Sequence, residues 1–201
     1  GGAARFVANK YKSRVTGVDL TQEYVETGKV LCAWVKLERQ VVLHQGSALS
    51  MPFEDKIFDG GYMLHVGMNI EDKARLFREI HLVLRPGSCF GIYDVIRNNE
   101  GELAYPVPWA AAAGKCNLDT LDMYRQALAA AGFEIIKEES RRDFALQFFH
   151  QLRANAGSGA GQQPLGLHTL MQASTAGKIK NMIDNITADY IAPVEVIARK
   201  I

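Results

Sequence analysis

The chain has 201 residues, 48% hydrophobic and 22% charged, enough for one domain with a full core and neither disordered nor fibrous in composition. Lysine and arginine number 23 against 22 acidic residues, a formal charge of +1, which disfavours nucleic acid as a partner. The nearly apolar runs reach only about ten residues, too short for a bilayer span, and three cysteines without a CxxC pair point to a reducing, cytoplasmic setting rather than a disulfide or zinc scaffold.

The chain opens Gly1-Gly2-Ala3-Ala4-Arg5-Phe6, as though cut within an element. Phe6, Val7 and Tyr11 predict a short helix over 3–12. The β-branched alternation of 14–19 predicts a strand ending on Asp19. Thr21 then caps a helix over 22–37 whose inner face would be Tyr24, Gly28, Leu31 and Val35. Strands are expected at 41–45 and 60–66, joined by a loop over 46–59. Residues 71–84 form the clearest helix, with Phe77, Ile80, His81 and Leu84 on one face. Arg85-Pro86-Gly87 ends it, and 88–96 read as a strand. A loop with Pro106, Pro108 and Trp109 precedes a helix over 119–131 (Leu121, Tyr124, Leu128, Ala131) and a strand over 133–138. Residues 141–155 are expected to be helical, 156–166 a break, 167–186 helical again, and 192–199 a final strand.

This order predicts an α/β fold: a mostly parallel sheet, its last strand antiparallel, with helices on both faces. Residues 1–139 would form the core, 140–190 a helical cap, and 191–201 the final core strand.

Ligands of such sheets bind outside the carboxyl ends of the strands. Gly1 and Gly2 stand directly before a helix, whose N-terminus favours negative charge. Asp19 can accept both hydroxyls of a ribose, or simply cap the next helix. Ser47 and His65 follow the next two strands, so three polar groups stand on one rim.

Gly1-Gly2-Ala3, Val18-Asp19-Leu20, Gly46-Ser47-Ala48 with Met51-Pro52-Phe53, Phe58-Asp59, and Leu82-Val83-Leu84-Arg85-Pro86-Gly87 resemble the ordered motifs of class I S-adenosylmethionine-dependent methyltransferases. The branch that includes ubiquinone/menaquinone, sterol and sarcosine-type enzymes is the most similar. The resemblance covers residues 1–100 well and the tail in outline. It implies a Rossmann-like sheet and S-adenosylmethionine as cofactor, with S-adenosylhomocysteine as product. It further implies Gly1 and Gly2 beside the methionine moiety, Asp19 on the ribose, Leu20 against the adenine, and Ser47 and Ala48 at the adenine edge. Leu64 and His65 would face the methionine end and the substrate. Ser47 stands where family members often carry Asp, so its contact would be weaker.

The family motif also begins with a central strand, which would lie upstream of Gly1. A sheet lacking it would leave two rows of backbone groups unpaired, each costing ~1–3 kcal/mol if buried. Native residues are therefore expected ahead of Gly1.

Methyl transfer from a sulfonium is an in-line displacement in which alignment and desolvation carry much of the rate. A neutral amine or hydroxyl acceptor must also lose a proton, and His65 is the candidate base. The competing reading is that His65 only holds backbone near the cofactor. Tyr93 and Asp94 would orient a substrate or anchor a loop. Tyr105 and Trp109 would wall the substrate, or stiffen a loop against the cap. Phe144, Phe148, Phe149 and Leu152 form a helical stripe expected to pack as core. His150 and His168 lack metal-ligand spacing. The expected acceptor is a small molecule, and the apolar cap is compatible with a homodimer. Two alternatives stand beside this reading. One is a nucleotide-dependent oxidoreductase, expected to retain a helix between the strands at 41–45 and 60–66. The other is a non-catalytic binding or assembly module on the same fold.

Overall fold

The computed structural model describes residues 1–156 and 166–201. The elements in chain order are α1 (Gly2–Tyr11), β1 (Val15–Asp19), α2 (Gln22–Trp34), β2 (Val41–Gln45), β3 (Phe58–Leu64), α3 (Lys73–Val83), β4 (Leu84–Arg97), α4 (Leu121–Ala130), β5 (Phe133–Ser140), α5 (Arg142–Ala156), α6 (Leu167–Met171), α7 (Thr175–Thr187) and β6 (Ile191–Lys200). The break expected at 156–166 lies, apart from its ends, outside the described residues.

Two sheets form. β1 and β2 pair in parallel. The second sheet has the order β3-β4-β6-β5. β3 and β4 are parallel, and β6 runs antiparallel to both of its neighbours. The expected pattern, mostly parallel with an antiparallel last strand, is what the structure shows. β1 and β3 each keep one edge without a strand partner among the described residues. A cavity of about 1120 Å³ lies between them, where the sequence reading expects a central strand.

Burial sets how the helices sit. α3 and α4 place Leu76, Phe77, Tyr124 and Leu128 against Phe90, Ile92 and Val196 of the larger sheet. α1 and α2 place Ala4, Ala8, Val25 and Cys32 against Leu43 of β2. The inner face of α2 differs from the periodicity reading: Val25, Gly28 and Cys32 are buried, whereas Tyr24 and Val35 are exposed. Leu43 is the cause. It reaches so close to α2 that a Cβ on Gly28 would lie 2.5 Å from its Cδ1, and only glycine lets the helix seat there.

β3 starts and ends two residues earlier than expected, so His65 stands just beyond it, with φ at 56°. β4 begins at Leu84, which pairs with Phe58. Arg85–Ser88 then loop out opposite Asp59, and pairing resumes at Cys89 and Gly60. Pro86 has no N–H to leave unpaired, and Gly87 adopts φ of 77° without a Cβ penalty. The Arg-Pro-Gly turn is therefore a bulge within a strand pair.

The cap region departs from expectation in two ways. The helix read over 167–186 is broken at Gln172, where φ is 48°. The Ser174 and Thr175 hydroxyls donate to the carbonyls of Met171 (2.6 Å) and Gln172 (2.7 Å), which offers the backbone an alternative to helix. On α5, Phe144, Phe148 and Leu152 are exposed, while Ala145, Leu146 and Phe149 pack inward. Arg142 sets that rotation by donating to the Ile186 and Thr187 carbonyls at 3.1 Å each.

Candidate functional site

The carboxyl ends of β1, β2 and β3 bring most of the sequence-predicted residues to one rim. Asp19 ends β1 and is exposed. Its Oδ1 accepts the Thr21 N–H at 2.9 Å, a turn that leads into α2, while Thr21, the N-cap residue of α2, makes no side-chain cap bond. Its Oδ2 has no protein partner among the described residues and is free for a ligand hydroxyl. Leu20 lies open to solvent, its carbonyl accepting from Gln45 Nε2 at 3.1 Å.

β2 delivers the chain to a tight turn. Ser47 Oγ accepts the Leu49 N–H at 3.1 Å, and Ser50 N–H returns to the Ser47 carbonyl at 3.1 Å. Part of the Ser47 acceptor capacity is therefore spent on its own turn. Ala48 packs against the main core. The Met51 N–H donates to Glu79 Oε2 of α3 at 3.0 Å, and Phe53 stacks edge-on between His44 and Phe58, at 5.3 and 5.2 Å. These anchors hold residues 46–57 as an ordered loop without a helix. That feature speaks against the oxidoreductase alternative.

β3 ends at Leu64, which is half-exposed. The His65 N–H donates to the Tyr93 carbonyl at 2.8 Å, and its ring lies edge-on to Tyr93, centroids 5.2 Å apart. Burial pushes the His65 pKa below its ordinary value, so its neutral form dominates at pH 7. Burial also raises Tyr93, with Arg141 opposing and Glu195 adding to the shift.

Gly1 is the N-cap residue of α1, and among the described residues no side chain caps that helix, so its first N–H groups have no side-chain acceptor there. A Cβ on Gly1 would lie 3.1 Å from Leu43 Cδ1. Gly2 is exposed with nothing near it. Among the candidates, Gly1, Asp19, Ala48 and Leu64 line the cavity between β1 and β3. Gly2, Leu20, Ser47 and His65 stand at or beside its rim in sequence but do not line it.

Trp109 departs from the substrate-wall reading. It packs with Met68, Val95, Ala145, Ile186 and Ile191 in the core of the cap, and its Nε1 donates to Cys116 Sγ at 3.3 Å. Tyr105 is partly buried, and its pKa is pushed up to about 12, first by burial and then by Cys116. Asp94 is fully buried, so it cannot touch a substrate, and its role is that of an anchor. No group of three potential metal ligands occurs among the described residues. No described helix is long and apolar enough to cross a membrane.

Residues 1–92 match the family model described as a methyltransferase domain, the same stretch that carries most of the motif resemblance. A sterol 24-C-methyltransferase of Eremothecium gossypii is 30% identical over 151 residues, covering 71% of this chain and 40% of the relative. The chain spans about two fifths of the length of the curated relatives it matches. The geranyl diphosphate C-methyltransferase of Streptomyces coelicolor A3(2) was solved with Mg2+, geranyl diphosphate and S-adenosyl-L-homocysteine. It superposes with a TM-score of 0.78 at 18% identity, over 100% of this chain and 70% of that one. The [4+2]-cyclase SpnF superposes with a TM-score of 0.71 at 24% identity, over 98% and 69%. At such identities the structural likeness is one of fold.

Proposed function

We propose, from the premise that residues 1–92 carry a methyltransferase domain, that the chain serves S-adenosylmethionine-dependent methyl transfer to a small-molecule acceptor. The observation that carries this reading is that Asp19, Ser47 and Leu64 stand at the carboxyl ends of β1, β2 and β3, on one rim. The donor set fits the cofactor. Asp19 keeps one carboxylate oxygen for the ribose hydroxyls, and Leu20 offers an exposed apolar side chain to the adenine. Ser47 and Ala48 present a fixed turn at its edge, and the first N–H groups of α1 suit the methionine carboxylate. When bound, the cofactor supplies the electrophilic methyl group. His65, neutral and at the rim, takes the acceptor's proton. Leu64 and Tyr93 orient the acceptor, and the cap formed by α5, α6 and α7 limits water access.

A second reading is favoured by one observation. SpnF shares this fold and is a [4+2]-cyclase, so the sheet by itself does not fix the reaction.

Calorimetric titration of S-adenosylhomocysteine tests the proposal. It is run on this chain, on its Asp19→Ala variant, and on a chain extended upstream of Gly1. Micromolar binding that weakens at least tenfold in Asp19→Ala supports the site. Binding by the extended chain alone supports the site and makes filling of the slot between β1 and β3 a requirement for it. Binding by neither chain, or equal binding by the variant, overturns the reading.

A further inference from the structure

β4 runs past the end of β3, and the overhang carries a carboxylate that solvent does not reach: Asp94 is 0% exposed. Its Oδ2 accepts the Tyr124 hydroxyl at 2.8 Å and the Met68 N–H at 3.1 Å. Oδ1 accepts the Val95 N–H at 3.1 Å. Met68 lies in the single 3₁₀ turn Gly67–Asn69, three residues after His65. The turn sits so close that a Cβ on Gly67 would lie 2.4 Å from Asp94 Oδ2 and 2.5 Å from the Tyr124 hydroxyl.

The same turn is gripped from its other side. Asn117 donates its N–H to the Met68 carbonyl at 3.1 Å and its Nδ2 to the Asn69 carbonyl at 3.2 Å. Lys73, itself buried, donates to the carbonyls of Ile70 and Asn117 and pairs with Asp119 at 2.9 Å. Its Nζ stands 5.5 Å from the centre of the Tyr124 ring.

His65 enters this turn with φ at 56°, a left-handed conformation uncommon for L-residues but more open to histidine than to most. Two consecutive residues of β4 hold it here. The Tyr93 carbonyl takes the His65 N–H, and the Asp94 side chain takes the Met68 N–H.

We infer that Asp94, braced by Tyr124, is a positioning residue for the candidate site: it locks the turn after β3 and so fixes where the His65 imidazole stands. The inference rests on the reading of His65 as part of a transfer site.

The clamp needs a carboxylate that accepts only. Oδ2 already accepts from two donors, Met68 N–H and the Tyr124 hydroxyl, so a proton there displaces one of them, and a proton on Oδ1 removes the negative charge that strengthens both bonds. The charged or titratable groups around Asp94 are Tyr124 from α4 and Lys73 from α3, with Asp119 behind Lys73. Burial pushes Asp94 up to about 6, against the hydrogen bonds from Tyr124, Val95 and Met68 and the charge of Lys73. The clamp is therefore closed at pH 7 and opens as pH falls through that value.

The test follows the Met68 amide and the cross-relaxation between the His65 and Tyr93 rings, which reports where the imidazole stands rather than its charge, by nuclear magnetic resonance from pH 4.5 to 8. It compares wild type, Asp94→Asn and Tyr124→Phe. The expected result is a shared step at both groups near pH 6 in wild type. In Tyr124→Phe the step moves to higher pH, because the carboxylate loses a stabilising donor. In Asp94→Asn it is lost, and His65 keeps its low-pH position. A Met68 amide without a step, or a step that survives in Asp94→Asn, overturns the inference. So does a Met68 step that His65 does not share, because the clamp would then not reach the site. Should the variants fail to fold, the wild-type titration alone still decides it. These signals need no cofactor. Failure of S-adenosylhomocysteine to bind would sink the transfer reading while leaving the Met68 step to judge the clamp.

Discussion

The His65 imidazole meets the Tyr93 ring edge to face, centroids 5.2 Å apart and planes at 88°, where β3 ends alongside the parallel strand β4. Burial lowers the His65 pKa below 6.5, so a reaction that needs its neutral form loses rate only as pH falls below that value. Replacement His65→Gln is expected to lower the turnover number by about 10²-fold and to remove the acidic limb. A pH–rate profile of both proteins checks this; an unchanged rate would leave alignment as the sole contribution. The stability sign follows the same shift. His65 favours the fold above pH 6.5, and that contribution is lost as pH falls toward its folded pKa.

Asp19 divides its carboxylate between structure and ligand. Oδ1 holds the Thr21 N–H, a local turn bond worth about 1 kcal/mol. The ribose contact would be charge-assisted, worth about 1.5–3 kcal/mol. Asp19→Ala should therefore weaken S-adenosylhomocysteine binding by about 10–100-fold, and Asp19→Asn should weaken it less while keeping the turn. Calorimetry with a parallel denaturation curve separates the two effects.

Much of the fold was legible because strands and helices carry different periods, and because Gly, Pro and capping residues punctuate them. Asp19 at the end of β1 and Tyr124 and Leu128 on the inner face of α4 follow from pattern alone. Other features depend on partners distant in sequence. The rotation of α2 is set by Leu43, and that of α5 by Arg142 reaching α7. Trp109 reads as a substrate wall or as a loop stiffener until Val95, Ala145 and Ile191 are seen around it. Asp94 and Tyr124 were each visible, but their bond spans thirty residues. The only local hint was Gly67 in an otherwise bulky stretch after His65.

Lys73 is expected to be the stability staple of the loops beside the site. It is 5% exposed, pairs with Asp119 and serves two carbonyls. Lys73→Met keeps the apolar stem but leaves Asp119 and both carbonyls short of a donor. The loss should be about 3 kcal/mol, read from the urea midpoint. Asp119→Asn should cost less, because Asp119 is 22% exposed and water can replace part of its partner. Equal losses would place the ion pair, rather than the carbonyl bonds of Lys73, at the centre of the effect.

The two sheets should differ in how firmly they hold their backbone hydrogens. β4 and β6 are paired along both edges, whereas β1 and β3 are each paired along one edge among the described residues. Their other edges border the cavity of about 1120 Å³. Amides pointing into that cavity have no ladder bond to break before exchange, so they should exchange faster than those of β4 and β6. Hydrogen exchange followed by mass spectrometry is expected to rank β1 and β3 well below β4 and β6 in protection. Saturating S-adenosylhomocysteine should then slow exchange at 17–20 and 46–49, the ends of β1 and β2 that carry Asp19, Ser47 and Ala48. Protection that appears instead along α5 and α7 would move the ligand to the cap and away from the strand ends.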